Sequence, residues 1–150
     1  MHNYESELQS LFINTIGGLK NSMKDTMKEI GLPLSPLYFM VLKQIHDIEN
    51  CTAHHLAEST ERDKGQITRL VHEVMNHGYV IKTPNPNDKR SQFLQLTDKG
   101  LECYQQLASA DHAILTKMRT DISDEELKKF LEIGQKMLTN LNRINHKPGT

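Results

Sequence analysis

The clearest pattern in the sequence is that of one amphipathic helix in the middle of the chain. Asp63 with Gln66 three residues later forms a capping-box-like start, and Gly78 supplies a stop. We therefore predict a helix over about Asp63 to His77, with one face in the core and the opposite face in solvent. The core face carries apolar residues at the three- and four-residue steps of a helix, namely Ile67, Leu70, Val71, Val74 and Met75.

Two shorter helices are predicted before this one. Ser35 and Pro36 have the pattern of an N-cap followed by a first-turn proline, and the helix they begin ends near Asp47. Thr52 can cap a short third helix, and a four-residue connection, Ser59 to Arg62, leads on to the fourth. The third and fourth helices, joined by this short connection, indicate a helix-turn-helix.

A β-hairpin is predicted after the fourth helix. Tyr79 to Thr83 and Phe93 to Leu96 are typical of strands, and the nine residues between them are rich in Pro, Asn and Asp. This connection is longer than the two to five residues that most hairpins use, and extra length of this kind is often functional.

Long amphipathic helices are predicted at both ends, one over Glu5 to Ile30 and two after Thr97, the last of them starting at Ser123. Their apolar stripes exceed what the central unit can cover, which favours a homodimer, although they could also pack back on their own chain as core. We predict one domain over 1–150, mainly α with a small β-hairpin wing: a winged helix-turn-helix unit over 31–100, with dimerisation helices over 1–30 and 101–145.

The basic charge of the chain is confined to one segment. The formal net charge is −1, yet residues 62–90 hold six Lys and Arg against three Asp and Glu, whereas residues 1–61 hold four against eight. A local basic patch is what contact with phosphate requires. Double-stranded DNA is therefore the partner that the charge pattern favours.

The exposed face of the fourth helix carries the hydrogen-bonding side chains suited to reading DNA. Arg69 could grip a guanine edge, Gln66 an adenine edge, and Thr68 a phosphate or a thymine methyl group. Gly65 would let the helix backbone approach the DNA closely. The predicted DNA-binding residues of this helix are Asp63, Lys64, Gly65, Gln66, Thr68, Arg69 and His72.

The hairpin turn adds three predicted DNA-binding residues, Asp88, Lys89 and Arg90. The fourth helix would then be the recognition helix, which enters the major groove. The two cations could reach the minor groove next to it, and Asp88 could hold Arg90 in place. A charged hairpin turn is often only a solvated turn. Its position directly after the polar helix, in the one basic segment, favours the DNA-binding interpretation.

The stretch from Leu34 to Gly100 resembles the multiple-antibiotic-resistance regulator (MarR) family. The resemblance rests on Asp63 to Val71, on Gly78-Tyr79-Val80, and on Asp88 to Ser91 followed by Leu96 to Gly100. It implies a dimeric winged helix-turn-helix protein that binds pseudo-palindromic operators, usually as a repressor, often released by a small-molecule effector or by oxidation. Glu73 and Val74 depart from the family, which often has a basic residue and Leu at these positions.

Other classes of function fit the sequence less well. His72 and His77 nearly imitate the HExxH motif of zinc proteases, but they are five residues apart and cannot share a helical face, so no enzyme, catalytic residue, cofactor or metal site is predicted. Two alternatives stay open: a dimerisation adaptor of the same fold without sequence-specific DNA binding, and a metal- or redox-responsive regulator. The residues of any effector site stay unknown.

The sequence indicates a cytoplasmic protein without membrane contact. Its apolar runs fall far short of the roughly 20 residues that span a bilayer, and the first eight residues carry no signal-peptide pattern. Cys51 and Cys103 have no CxxC spacing and are expected to be ordinary reduced thiols.

Overall fold

A computed structural model describes residues 2–32, 35–60 and 62–145. These residues form six helices and a two-stranded antiparallel sheet, the mainly α fold with a hairpin that the sequence predicts. In chain order the elements are α1 (Tyr4–Ile30), α2 (Pro36–Asp47), α3 (Ala53–Thr60), α4 (Lys64–Asn76), β1 (Val80–Thr83), β2 (Phe93–Leu96), α5 (Asp98–Met118) and α6 (Asp124–Asn145).

Local signals set most of these helix ends. Gly31 adopts a positive φ of 79°, and the N–H of Leu32 donates to the carbonyl of Met27, which closes α1 as predicted. The hydroxyl of Ser123 accepts from the N–H of Glu126 at 3.1 Å, and the Glu126 carboxylate accepts from the N–H of Ser123 at 2.9 Å. This reciprocal pair is a capping box, and it begins α6 at the start that the sequence predicts.

Two predicted boundaries were wrong by one or two residues. Strand β1 begins at Val80 rather than Tyr79, because the N–H of Tyr79 donates to the carbonyl of Val74 and so completes the cap of α4. The predicted connection began at Ser59, yet α3 continues to Thr60. The hydroxyl of Thr60 donates to the carbonyl of Leu56, which satisfies a carbonyl in the last turn of that helix.

The chain divides into two compact units, one ending at Ile114 and the other beginning at Leu115. The first unit has a core between α1, α2, α3, α4 and the hairpin, and Leu107 of α5 belongs to it. The largest fully buried side chains are Met27, Leu42, Leu56, Ile67 and Leu107. The described part of the second unit contains α6, in which no residue is buried.

The hairpin packs against the rest of the first unit through β2. Val80 pairs with Leu96 and Thr83 with Phe93 across the two strands. Leu94 is buried, and its N–H donates to the carbonyl of Cys51 at 2.7 Å. Strand β2 is thereby bonded to the segment that leads into α3, so the turn of the hairpin is held beside the helix-turn-helix.

Among the helices of the described ranges, none combines the length and apolar character needed to cross a membrane.

Candidate nucleic-acid interface

Helix α4 presents one buried and one exposed face, as the sequence predicts. Ile67, Leu70, Val71 and Val74 are buried. The exposed face carries all the residues of this segment that were predicted to contact DNA, namely Asp63, Lys64, Gly65, Gln66, Thr68, Arg69 and His72. The core face fixes the rotation of the helix, so these polar side chains point away from the protein.

Two of the predicted contact residues also shape the start of α4. The carboxylate of Asp63 accepts hydrogen bonds from the N–H groups of Gly65 at 2.6 Å and Gln66 at 3.4 Å. The hydroxyl of Thr68 donates to the carbonyl of Lys64 at 2.8 Å. Asp63 therefore acts as an N-cap, and Thr68 keeps its methyl group and its oxygen lone pairs for an external partner.

Arg69 has a charged neighbour on its own helix. Its Nε lies 3.8 Å from Oε1 of Glu73, one turn further on, and the Arg69 side chain is 78% exposed against 36% for Glu73. The sequence marked Glu73 only as a position at which the chain departs from the family it resembles. The four-residue spacing, which places two side chains on one helical face, was the available signal for this pair.

The turn of the hairpin is shaped by its own Asn and Asp side chains. The side chain of Asn85 accepts from the N–H of Asn87 at 3.0 Å, and Oδ1 of Asp88 accepts from the backbone N–H of Arg90 at 2.9 Å. Asp88 thus holds the backbone of Arg90, and among the described residues it forms no ion pair with the Arg90 guanidinium. Lys89 and Arg90 are exposed.

One groove brings the two predicted sets of residues partly together. Lys64, at the start of α4, lines it with Asp88, Lys89 and Arg90 of the hairpin turn. The other predicted contact residues of α4, including Gln66, Thr68 and Arg69, lie on the exposed face of the helix and do not line this groove. The candidate interface therefore has two parts, a polar helix face and a basic groove that is also lined by Lys64 of that helix.

Sequence reasoning missed the junction between α4 and α5. The hydroxyl of Thr97 donates to the carbonyl of Gly78 at 2.6 Å, and Nζ of Lys99 donates to the carbonyl of His77 at 2.9 Å while lying 5.2 Å from the centre of the Tyr79 ring. These bonds join the end of the polar-faced helix to the start of α5. They connect residues about twenty positions apart, so no local sequence pattern indicates them.

Both thiols are buried. Burial raises the pKa of Cys51 to about 11 and also raises the pKa of Cys103. A raised pKa lowers the fraction of thiolate, which is the form of the thiol that acts as a nucleophile and is oxidised.

Within ranges 2–32, 35–60 and 62–145, no group of three or more His, Cys, Asp or Glu side chains is arranged to hold a metal ion.

The chain is similar in sequence to known proteins of one family. The MarR family model matches residues 34–92, which include α2, α3, α4 and the hairpin turn. The regulator BilQ of Clostridium symbiosum is 27% identical over 76% of this chain and 78% of its own. The multiple antibiotic resistance protein MarR of Escherichia coli is 33% identical over 67% of this chain and 74% of its own.

The chain belongs to the MarR family of transcriptional regulators. The fold agrees with this assignment over most of the chain. A solved structure of a MepR–DNA complex from S. aureus superposes with a TM-score of 0.79, at 15% identity, over 88% of this chain and 96% of that one. The winged helix-turn-helix predicted from the sequence is therefore the fold of this MarR-family chain.

Proposed function

We propose that this MarR-family chain is a DNA-binding repressor that acts as a homodimer on a pseudo-palindromic operator. One observation carries the proposal: the exposed polar face of α4 begins at Lys64, and the same residue lines a groove with Lys89 and Arg90 of the hairpin turn. A protruding polar helix fits the major groove of B-DNA, and a neighbouring basic hairpin can reach the phosphates or the minor groove beside it.

Within this proposal the residues at and after the start of α4 divide into three roles. Arg69 and Gln66 reach base edges, because their side chains are long and exposed, and each can form two hydrogen bonds to a single base. Lys64 contacts phosphate, and Thr68 contacts phosphate or a thymine methyl group. Asp63 and Gly65 act by forming the helix start that places the others. Lys89 and Arg90 contact the DNA beside the recognition helix.

The dimer is proposed from the exposed apolar faces of the terminal helices. In α1, Leu11 and Ile16 are more than half exposed. In α6 the exposed apolar residues follow a helical stripe: Phe130, Leu131, Leu138, Leu141 and Ile144. Monomeric proteins rarely expose continuous apolar patches of this kind, and a symmetric pair of identical chains is the commonest way to cover them. The winged unit over 31–100 would then read one half-site in each protomer.

Release of the DNA by a small-molecule effector completes the proposal, as the MarR-family resemblance implies. Oxidation of Cys51 or Cys103 is the less favoured signal, because both thiols are buried and their pKa values are raised. An effector would act by changing the distance between the two recognition helices, which must match one turn of the duplex, about 34 Å. Binding to DNA in this way would place the protein in the cytoplasm.

The test is binding of the full-length chain to fragments of its own genome, followed by fluorescence anisotropy on a selected duplex. Replacement Arg69→Ala should weaken binding about tenfold and relax the base preference at one position of each half-site. Lys136→Ala removes a cation from the exposed polar side of α6 and serves as the matched control. Equal effects of the two replacements, or no affinity of the wild type for any duplex at low salt, would contradict the proposal.

A further inference from the structure

The groove beside α4 is lined by more basic residues than the sequence singled out. It runs between the hairpin and the segment that leads into α3. We call it the wing groove, and define it by Lys64, Lys82, Lys89, Arg90, His54 and His55. Lys82 comes from strand β1, and the two histidines come from the first turn of α3, so three elements besides the turn contribute to one surface.

The charge of the wing groove is positive. Four Lys and Arg side chains line it, against two carboxylates, those of Glu49 and Asp88. The Asp88 carboxylate already accepts the backbone N–H of Arg90. Among the ion pairs of the described residues, none involves the four cations of this groove. Their charges are therefore free to meet an anionic partner.

The two sides of the groove are bonded to each other at its base. The N–H of Leu94 donates to the carbonyl of Cys51 at 2.7 Å, which bonds the hairpin to the segment before α3. Cys51, Thr52 and Leu94 are all buried. The hairpin that carries Lys82, Lys89 and Arg90 is thus joined directly to the segment before α3.

His55 takes part in a capping box in which a histidine replaces the usual Glu or Gln. Its N–H donates to the hydroxyl oxygen of Thr52 at 3.2 Å, and its Nδ1 accepts the N–H of Thr52 at 3.2 Å. An Nδ1 that accepts a hydrogen bond carries no proton, so the proton of the ring is on Nε2. The exposed side of this ring is therefore a hydrogen-bond donor.

We infer that the wing groove binds the sugar-phosphate backbone of the DNA that α4 reads, with Lys82 and His55 as phosphate contacts. This inference rests on the proposed function. One DNA strand would then follow the groove from Lys64, at the start of α4, along the hairpin to Arg90. Backbone contacts of this kind position a protein on the duplex and carry no base preference of their own.

A strand of DNA suits the groove better than a single free anion does. The groove is open to solvent, and its cations come from three separate parts of the chain, α4, β1 and the turn. Successive phosphates of one strand would meet them in turn. Each such contact releases bound counterions, so the groove should contribute to the salt dependence of binding.

The test uses the full-length chain and a labelled duplex of about 30 base pairs, three turns of B-DNA, selected from genomic fragments by the wild type. His55→Gln and His55→Glu both keep a side chain that can accept the Thr52 N–H in a capping box. Only Glu adds a negative charge to the groove. We expect His55→Glu to weaken binding about tenfold and His55→Gln to change it less than about threefold.

Lys82→Ala gives a second measurement that does not touch the capping box. It should lower the slope of log Kd against log salt concentration by about one phosphate contact, with the selected sequence unchanged. Lys136→Ala, on the exposed polar side of α6, is the control and should leave the slope unchanged. Thermal unfolding of each variant should match that of the wild type.

Three results would overturn the inference. An unchanged slope for Lys82→Ala, together with equal binding by His55→Glu and His55→Gln, would remove Lys82 and His55 from the interface while leaving the proposed function intact. Saturable binding of inorganic phosphate that depends on Lys82, with an unchanged DNA slope, would make it a site for a free anion. A wild-type chain that binds no duplex would overturn the groove and the proposed function together.

Discussion

The backbone carbonyl of Tyr79 occupies the space that a Cβ atom at Gly100 would need. Gly100 is buried in the first turn of α5, and its N–H donates to the hydroxyl of Thr97 at 3.0 Å. The start of α5 therefore packs directly on the segment that ends α4. Together with the bonds of Thr97 and Lys99 to Gly78 and His77, this contact fixes where the polar-faced helix ends relative to α5.

Replacement Gly100→Ala should destabilise the protein by about 1–3 kcal/mol, because the backbone of Tyr79 cannot yield as a flexible side chain could. Urea unfolding followed by circular dichroism measures the loss. Gln105→Ala, at an exposed position of the same helix, is the control and should stay within about 0.5 kcal/mol of wild type. Equal stabilities of the two variants would show that the contact is not tight.

Replacement Glu73→Gln should tighten DNA binding about two- to fivefold at low salt, because it removes a negative charge next to Arg69 on the side of α4 that we propose faces the DNA. The gain should shrink as salt is raised, since exposed charges are screened. Anisotropy titrations at several salt concentrations measure it, with Glu132→Gln of α6 as control. Weaker binding by the Glu73 variant would instead mean that this carboxylate holds Arg69 in its reading position.

Cys51 should be unreactive in the folded protein. A thiol with a pKa of about 11 is ionised in about one molecule in a thousand at pH 8, and the side chain is fully buried. Reaction with a chromogenic disulfide at pH 8 should be slow for the native chain and should reach two thiols per chain in urea. Ser109→Cys, at an exposed position, provides a rapidly reacting reference. Rapid labelling of both thiols in the native chain would contradict this prediction and would favour a redox-responsive regulator.

Replacement Leu138→Glu should convert the proposed dimer to a monomer at micromolar concentration. It places a charge in the exposed apolar stripe of α6, where a second copy would have to desolvate it. Light scattering coupled to size-exclusion chromatography measures the mass. Thr139→Glu adds the same charge on the polar side of the same helix, and it should remain dimeric. A wild-type chain that elutes as a monomer would contradict the dimer directly.

Sequence patterns predicted the elements of this fold well where the determining interactions are local. The stripe from Ile67 to Val74 and the caps at Asp63 and Ser123 depend on residues within one or two turns of each other. The same holds for the hairpin, whose turn residues bond to one another. A periodic pattern is sufficient in such cases, because the physics that produces it acts over the same short distance.

The features that the sequence did not reveal depend on contacts between distant segments or on an unusual residue in a familiar role. The bonds between Lys99 and His77, and between Leu94 and Cys51, join residues more than twenty positions apart. His55 stands where a capping box has Glu or Gln, so a pattern search passes over it. The wing groove involves both, since His55 lines it and the bond from Leu94 to Cys51 joins β2 to the segment before α3.

The most direct test is a footprint of the purified wild-type chain on a duplex selected from its own genome, together with its affinity for a scrambled duplex. If two copies of α4 read DNA, the footprint should show two protected half-sites about one helical turn apart, and the selected duplex should bind at least about a thousandfold more tightly. One isolated protected site, or equal affinity for both duplexes at every salt concentration, would contradict the account.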